Sequence, residues 1–560
     1  MAISTFARQL MRWALGVAIS CCAAPASAQQ APTGPAWASV QRTLTDAYSM
    51  GEDIAIGADG SQYTTGIFEG TLTLGKVKLT ASTGTTHIFL AKYSPDGEAL
   101  WITNLDGSGY VSSNNIAVDL SGNVYVAGTF NRDITLGATT LKTSSSDVYL
   151  AKYNTQGVQQ WVRQGGGQNH KNLKGIATNA QGEVIVAGDF QASIDFGGQA
   201  LVDGGIFYYR FSPDGKVNLA KSFGSWASSM VNVAGLTLDK EGSAYITGDC
   251  GGSLTFGSDT IYSSYQDIFV CKLTAAGTPV WSQFARATPD RMKQVRAIAV
   301  DESGNTVVCG ENFDYNPAKA NLYVAHFNAK GSLTWSYDIP TSSSGSPETG
   351  YNSASGVAYD HNGGFLVTGA FLGKAVFGTN ELNTINGQVF VVRYDGQGNA
   401  TAVLHSVGLR VGNDHSYGHG IAVDTKGNIY VAGTIWGDAS FGKVKTFADY
   451  NMCDTGTDSY IAKLTVPAVT TSVETPEAVS RSAVFAIYPN PASQRTTIML
   501  RGGERQLLIS DARGSLIRKQ AVTGMSGPYS VSLSGLASGL YQLRVTTDNG
   551  QTRSAKLVVE

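Results

Sequence analysis

The strongest constraint on the fold is a short segment that recurs seven times along the chain. Clear copies begin at residues 116, 176, 236, 298, 357 and 421, and a more divergent copy begins at 54. The copy at 116 reads IAVDLSGNVYVAGTF. Successive copies are about 61 residues apart, measured between the closing glycines Gly66, Gly128, Gly188, Gly248, Gly310, Gly369 and Gly433. Because this period exceeds the roughly 40–50 residues of WD40 and kelch units, each unit must carry an extra loop or hairpin.

One unit is predicted to contain four antiparallel strands. In the copy at 116, the first strand ends near Val118, and Asp119 to Asn123 have the composition of a hairpin turn. The apolar run 124–128 predicts a buried second strand, residues 147–153 predict a third, and a fourth ends near Trp161. Four consecutive antiparallel strands form one blade of a β-propeller.

The two ends of the repeat region are predicted to pair. The seventh copy stops at Leu464 without a fourth strand, whereas residues 35–40 read as an isolated fourth strand whose Trp37 corresponds to the recurring Trp101, Trp161, Trp281 and Trp335. Pairing these segments leaves no open sheet edge. We therefore predict an all-β fold, with a seven-bladed propeller of four-stranded antiparallel blades over 36–467. The repeat resembles the seven-bladed β-propeller repeat family of bacterial extracellular proteins.

The N-terminus predicts export. Residues 1–28 combine Arg8 and Arg12 with an apolar stretch and the Ala26-Ser27-Ala28 cleavage pattern, which is typical of a secretory signal peptide. An alternative lipoprotein signal at Cys21 has a poor lipobox. No other stretch is long and apolar enough to cross a membrane.

The C-terminus is predicted to be a separate domain. Residues 468–482 lack periodicity and read as a linker, and 483–560 contain short alternating runs that predict a small immunoglobulin-like β-sandwich. This region resembles the C-terminal type A sorting domain of type IX secretion, through the motif residues Tyr488, Pro489, Asn490, Pro491, Gly539, Tyr541 and Lys556. The resemblance implies recognition by the type IX machinery and delivery through the periplasm to the cell surface or medium, with the tail either removed or used for attachment. The alternative is an accessory binding sandwich.

The net charge restricts the classes of molecule that the protein can bind, and the cysteines allow two structural interpretations. The chain has a formal charge of −3; removing the two signal arginines and the net +4 of residues 468–560 leaves the propeller segment at −9. An acidic surface is a poor partner for nucleic acid. Four cysteines follow the signal, Cys250, Cys271, Cys309 and Cys453. A Cys250–Cys271 disulfide and a pair of small buried thiols are equally compatible with the sequence.

No catalytic, cofactor or metal site is predicted. The repeated Asp119, Asp239, Asp301, Asp360 and Asp424 lie in turn motifs, which account for them without calcium. His415 and His419 have a zinc-like spacing but are expected in a polar, glycine-rich loop. The triple glycine at 165–167, near Asn169 and His170, follows no βαβ pattern and so predicts no phosphate loop.

The candidate functional residues are aromatic residues that do not recur from one repeat to the next. The aromatic residues Tyr110, Trp226, Tyr351, Tyr417 and Trp436 fall in blade connections and predict a ligand face. The leading hypothesis is a non-enzymatic secreted or surface module that binds a glycan, polymer or protein. The alternatives are a propeller-based extracellular enzyme, such as a polysaccharide lyase or hydrolase, and a purely structural surface component.

Overall fold

The computed structural model describes residues 35–81, 86–105, 111–226, 229–285, 291–315, 318–341, 352–409, 414–446, 457–465, 487–488, 490–501, 504–511, 516–523, 525–547 and 552–560. These residues form strands, turns and bends, which confirms the all-β class. The chain divides into two compact units, Met1–Pro467 and Ala468–Glu560.

The strands of the first unit follow the sequence repeat. Two strands precede the first full repeat, β1 (Ala36–Arg42) and β2 (Leu44–Thr45). The first three repeats supply β3 (Tyr48–Ile56), β4 (Gln62–Glu69), β5 (Thr71–Leu74), β6 (Val77–Thr80), β7 (His87–Tyr93), β8 (Ala99–Leu105), β9 (Val111–Val118), β10 (Val124–Phe130), β11 (Ile134–Leu136), β12 (Thr139–Leu141), β13 (Asp147–Tyr153), β14 (Gln159–Gly165), β15 (Lys171–Thr178), β16 (Val184–Phe190), β17 (Ser193–Ile194), β18 (Leu201–Val202), β19 (Gly205–Phe211) and β20 (Val217–Phe223).

The remaining four repeats follow the same order, and repeats four to six have longer central strands. They supply β21 (Ser229–Leu238), β22 (Ala244–Phe256), β23 (Asp259–Leu273), β24 (Pro279–Ala285), β25 (Arg291–Val300), β26 (Thr306–Tyr315), β27 (Ala318–Phe327), β28 (Leu333–Ile339), β29 (Ser353–Tyr359), β30 (Gly364–Phe377), β31 (Asn380–Asp395), β32 (Ala400–His405), β33 (Val407–Gly408), β34 (His415–Val423), β35 (Ile429–Trp436), β36 (Ala439–Phe441), β37 (Val444–Thr446) and β38 (Thr457–Thr465).

Each repeat forms a four-stranded antiparallel sheet, and seven such sheets lie in the described part of this unit. We number them in chain order: sheet 1 is β3-β4-β7-β8, sheet 2 β9-β10-β13-β14, sheet 3 β15-β16-β19-β20, sheet 4 β21-β22-β23-β24, sheet 5 β25-β26-β27-β28, sheet 6 β29-β30-β31-β32 and sheet 7 β34-β35-β38-β1. The first strands contact one another in succession, and β34 of sheet 7 contacts β3 of sheet 1. These contacts close a ring.

The ring is closed within sheet 7 by strand β1, which pairs antiparallel with β38. The register corrects the predicted role of Trp37. In sheets 1, 2 and 4 the recurring tryptophan lies opposite a lysine of the third strand, but the corresponding Lys463 lies opposite Ser39. Trp37 lies opposite Leu464 and packs edge-on against Phe441 of its own repeat, with ring centroids 5.0 Å apart.

The core lies between sheets. Strands β10 and β13 are buried along their whole length, because the second and third strands of a sheet are covered on both faces by neighbouring sheets. One core cluster joins Tyr125 of sheet 2 to Val186 and Phe207 of sheet 3. Such clusters of aliphatic and aromatic side chains join successive sheets throughout the described ring.

The glycine that closes each repeat is required by packing. It pairs in every sheet with an aromatic residue of the third strand, as in Gly188 opposite Phe207 and Gly248 opposite Phe269. A Cβ atom on Gly248 would lie 2.6 Å from the Phe269 ring. The nearest atom to such a Cβ is a carbonyl oxygen of the first strand, Asn232 O at 2.2 Å for Gly248 and Gln294 O at 2.0 Å for Gly310. Since no side chain fits against that backbone, the glycine recurs at a fixed period.

The recurring tryptophans join each sheet to the next. The indole Nε1 of Trp101 donates to the carbonyl of Thr155, at 3.1 Å, and that of Trp161 donates to the carbonyl of Pro213, also at 3.1 Å. Trp281 and Trp335 make the same bond to Ala329 and to Gly396. Each acceptor lies in the turn between the third and fourth strands of the following sheet, so this position is structural.

Gly215→Ala is expected to lower the free energy of unfolding by about 2–3 kcal/mol, because a Cβ would lie 2.8 Å from the Trp161 ring at a φ of +81°. Gly427→Ala is the matched control. Gly427 has the same φ of +81° but no atom within 4 Å of a Cβ, so only the backbone cost of about 1 kcal/mol applies. Urea denaturation of both variants measures the difference, and equal losses would contradict the packing role of the tryptophan.

The three described cysteines, Cys250, Cys271 and Cys309, are buried, and Cys453 lies outside the described residues. Cys250 pairs with Asp267 and Cys271 with Ile246, so the two strand cysteines are not opposite each other. Burial raises the pKa of Cys271 and of Cys309. The structure therefore places both cysteines in the core and does not place them as a Cys250–Cys271 pair.

The second unit contains two sheets that share one core. Its strands are β39 (Ile487–Tyr488), β40 (Arg495–Arg501), β41 (Glu504–Asp511), β42 (Leu516–Ala521), β43 (Ser526–Ser532), β44 (Gly539–Thr547) and β45 (Thr552–Val559). The sheets have the orders β39-β40-β43 and β42-β41-β44-β45. Ile498 and Val531 of the first pack with Leu507, Leu543 and Leu557 of the second.

Candidate functional site

Three of the five predicted ligand-face aromatics lie in the described part of the chain, and Tyr110 and Tyr351 lie outside it. Trp226 is half-buried against the core cluster between sheets 3 and 4, so it contributes mainly to packing. Tyr417 is half-buried on β34, where its ring is nearly parallel to that of His419 at 6.3 Å. Trp436 is 41% exposed at the end of β35.

Trp436 belongs to a group of exposed apolar side chains between sheets 6 and 7. We call this group the Trp436 patch: Ile385 (68% exposed), Val407 (50%), Leu409 (40%) and Trp436. The backbone amide of Gly387 donates to His415 Nδ1 at 3.0 Å, and the His415 ring lies 6.0 Å from Trp436. Strand β33, which contains Val407, contacts β31, which contains Ile385. Exposed apolar side chains grouped in this way make the region a candidate interaction site.

The histidine cluster lies in a strand and not in the predicted polar loop. His415 and His419 are both part of β34, separated by a bulge between Gly418 and Gly420. His415 is held by the Gly387 amide, whereas burial lowers the pKa of His419 to about 4 and keeps it neutral. The two imidazoles therefore have separate environments. Within the described ranges, no group of three or more His, Cys, Asp or Glu side chains is arranged to hold a metal ion.

The repeated aspartates complete their own turns. Asp119 Oδ1 accepts the backbone amides of Ser121 and Asn123, both at 2.9 Å, and Oδ2 accepts the Asn123 side chain at 2.8 Å and the Tyr125 hydroxyl at 3.2 Å. Asp424 makes the equivalent bonds in sheet 7. These carboxylates are used as turn acceptors, as expected from the sequence.

A second candidate site was missed by sequence reasoning. All seven first strands have a register shift at the corresponding place, and a bulge re-aims the extra residue. The first strands contact one another around the ring and therefore lie nearest its axis. We call their bulge residues the axial set. Those whose side chains the structure describes are Glu52, Lys174, Ala234, Arg296, Ser355 and His419.

The axial set brings together charges that are far apart in sequence. Burial lowers the pKa of Lys174, and the charge of Glu52 opposes that effect while the charge of Arg296 adds to it. Arg296 Nε donates to Glu311 Oε1 at 2.9 Å. Burial also raises the pKa of Asp189 to about 7, although its carboxylate accepts the Val233 amide at 3.1 Å.

The sequence identifies the axial residues only by their position in the repeat, which is weak evidence for a site. Each axial residue lies two positions before the first apolar residue of a repeat copy, as Lys174 does before Ile176 and Arg296 before Ile298. Its identity changes from copy to copy, from acidic to basic to small and uncharged. Only the ring arrangement shows that these variable positions face a common region.

The sorting-motif residues connect the start of the second unit to its final strand. Asn490 Nδ2 donates to the carbonyl of Lys556 at 2.7 Å, and the Val558 amide donates to Asn490 Oδ1 at 2.8 Å. The Tyr541 hydroxyl donates to the carbonyl of Ala537 at 2.9 Å, and Gly539 begins β44. Pro489 lies outside the described residues, and Pro491 follows Asn490 directly.

Among the described residues, no helix has the length and apolar character needed to cross a bilayer.

Comparison with known proteins matches two family models. Residues 486–560 match a secretion system C-terminal sorting domain, and residues 100–131 and 408–441 match a beta-propeller repeat. An uncharacterised WD repeat-containing protein of Acanthamoeba polyphaga mimivirus is 31% identical over 123 residues. That match covers 20% of this chain and 9% of the viral protein.

Two similar solved structures have low TM-scores. A calcium-binding regucalcin from Agrobacterium tumefaciens has a TM-score of 0.28 at 12% identity, covering 60% of this chain and 86% of its own. Prolyl oligopeptidase B from Galerina marginata has a TM-score of 0.34 at 8% identity, covering 90% and 57%. The chain thus contains β-propeller repeats and a C-terminal type IX sorting domain, and that domain indicates export to the cell surface or the extracellular space.

Proposed function

We propose that residues 36–467 form a seven-bladed β-propeller in which each of the seven sheets is a blade and β1 completes the last. The continuous contacts of the first strands support this arrangement. We further propose that residues 1–28 are a signal peptide, that 468–482 are a linker, and that 483–560 form an immunoglobulin-like sandwich recognised by the type IX machinery. The shared core of its two sheets supports the sandwich.

The propeller is proposed to act as a non-enzymatic binding module for an extracellular glycan, polymer or protein. The observation that carries this proposal is the Trp436 patch, whose four apolar side chains are 40–68% exposed. Exposing them to water is unfavourable by about 25 cal/mol per Å² of apolar surface, and a bound partner removes that cost. Trp436 is an aromatic residue of the kind that dominates binding energy at interfaces.

A second candidate function is supported by the axial set. Active sites often contain mixed clusters of charged side chains with shifted pKa values. The axial region has such a mixture, formed by Lys174, Arg296 and the carboxylates of Glu52, Asp189 and Glu311. The pKa values of Lys174 and Asp189 are shifted. However, Glu311 is bonded to Arg296, and Asp189 holds the Val233 amide. These structural bonds favour binding over catalysis.

The test is a binding screen of the purified protein against neutral and acidic polysaccharides and extracellular matrix proteins. Trp436→Ala is expected to weaken a specific hit about tenfold or more, the loss typical of an aromatic interface residue. Leu120→Ala is the matched control, because Leu120 is 71% exposed but lies in the turn between the first two strands of sheet 2.

Equal binding by the wild type and Trp436→Ala would refute the role of the patch. Depolymerisation of any polysaccharide in the screen, abolished by Lys174→Met, would instead establish the enzymatic alternative at the axial set. No binding together with concentration-dependent self-association would favour the structural component.

A further inference from the structure

One side chain on the fourth strands differs in type from its equivalents in the other sheets. Two residues after the recurring tryptophan position, the fourth strands carry Thr103, Arg163, Lys221, Gln283, Tyr337, Leu404 and Gln41 in sheets 1 to 7, each opposite the equivalent third-strand residue. Tyr337 is the one aromatic residue among these seven. In sheet 2 the equivalent Arg163 covers its own tryptophan and donates to the carbonyl of Gly215 at 2.7 Å.

Tyr337 forms part of an aromatic stack. Its ring lies 5.4 Å from Trp335 at 33° and 5.9 Å from Tyr394 at 20°. Tyr394 belongs to β31, so the stack spans sheets 5 and 6. Tyr394 is buried, but Tyr337 is 38% exposed. Because two neighbouring rings hold Tyr337 in place, a ligand would bind to it without ordering a mobile side chain.

A groove of about 210 Å³ opens beside this stack. Tyr337 and Ile339 of sheet 5 form one side, and the hairpin residues 376–379 and the turn residues 398–400 of sheet 6 form the rest, with Tyr394. Pockets for drug-sized ligands occupy about 300–1,000 Å³. The groove therefore admits a single ring-sized group and not a whole oligosaccharide.

The lining shows which chemistry the groove fits. None of its ten lining residues is Asp, Glu, Lys or Arg, which disfavours an ionised ligand. Its polar side chains include the Thr379 hydroxyl and the Asn399 amide, whose Nδ2 donates to Asp395 Oδ2 at 2.9 Å. That bond directs the Asn399 side chain and leaves Oδ1 as an acceptor.

We infer that the groove formed by Tyr337, Tyr394, Thr379 and Asn399 binds one uncharged pyranose unit of a neutral glycan. The apolar face of the sugar packs on the Tyr337 ring, which combines a rigid apolar face with a polar hydroxyl. The sugar hydroxyls bond to Thr379 and Asn399. This inference rests on the proposed binding function and adds a site in sheets 5 and 6, separate from the Trp436 patch.

The test is titration calorimetry of the purified protein with neutral oligosaccharides (gluco-, manno-, galacto- and xylo-series) and with an acidic galacturonate series. A neutral series is expected to bind, and Tyr337→Ala is expected to weaken it about tenfold, consistent with loss of an aromatic packing contact. Tyr337→Phe retains the ring and is expected to bind within about twofold of the wild type. Gln283→Ala, at the same position in sheet 4, is the matched control and should have no effect.

Three results would overturn the inference: preferential binding of the acidic series, no binding of any neutral series at millimolar concentration, or equal affinity of Tyr337→Ala and the wild type. If Trp436→Ala abolishes binding while Tyr337→Ala leaves the affinity unchanged, the inference about the groove is wrong and the proposed binding function stands. If Tyr337→Ala weakens binding and Trp436→Ala does not, the inference stands and the role of the patch fails.

Discussion

Lys171→Met is expected to lower the free energy of unfolding by about 3–5 kcal/mol, the usual cost of removing one partner of a buried ion pair. The Lys171 side chain is fully buried, and its Nζ lies 3.0 Å from Asp147 Oδ1. The ammonium also donates to the carbonyls of Gly167 and Asn169, both at 2.9 Å. Methionine fills similar space but cannot donate, so it leaves the Asp147 charge and two carbonyls without this partner. Thermal and urea denaturation measure the loss.

The control is Lys216→Met, in an exposed pair with Asp214 whose side chains are 78% and 57% accessible. That substitution is expected to leave the unfolding midpoint unchanged, because exposed ion pairs contribute little. The double variant Lys171→Met/Asp147→Asn removes both charges and should be more stable than the sum of the single losses predicts. A Lys171→Met variant as stable as the Lys216→Met control would show that the network contributes no stability.

Deleting residues 36–42 is expected to give the largest loss of stability, because it removes the whole of β1 from sheet 7. Arg42 Nε lies 2.6 Å from Asp458 Oδ2, and Arg42 Nη1 donates to the carbonyl of Gly437 at 2.8 Å. The lost ladder hydrogen bonds contribute about 1 kcal/mol each, and the deletion also uncovers apolar surface and an open edge on β38. The deleted protein should unfold at a markedly lower temperature and aggregate.

Arg42→Met separates the ion pair from the strand, since it breaks the Asp458 contact and keeps the β1 ladder. Its expected effect is smaller than that of the deletion. A synthetic peptide of residues 35–45 should restore part of the stability of the deleted protein. An unchanged melting temperature after deletion would contradict a closing role for β1.

Several features of the fold were predictable because they depend on neighbours in sequence. The alternating and apolar runs predicted strands, and Asp119 with Gly122 predicted the turn that the Asp119 carboxylate completes. The triple glycine at 165–167 was predicted to form no phosphate loop, and its structural role was not predictable. Gly167 and Asn169 direct their carbonyls at the Lys171 ammonium, a contact that depends on how the connection folds.

The candidate sites were less predictable. Trp436 was expected on a ligand face because it is aromatic and does not repeat, and its exposure is consistent with that expectation. Its partners Ile385 and Val407 have no distinguishing local signal, since they become neighbours only where sheets 6 and 7 meet. Trp37 was wrongly equated with the recurring tryptophans, because the sequence of an isolated strand does not show its register against a distant partner strand.

The sequence by itself determined the repeat, the strand and turn content and the sorting tail, because each depends on residues within one unit or one motif. The tertiary structure decided which side chains meet. Arg42 and Asp458 are 416 residues apart and form one part-buried ion pair, and the charges of Glu52 and Arg296, from two other sheets, act on Lys174. Tyr337 gains its significance only beside Tyr394 of the next sheet. The physical reason is that hydrophobic patterning and turn chemistry act locally, whereas the meeting of distant side chains depends on the packing and register of whole sheets.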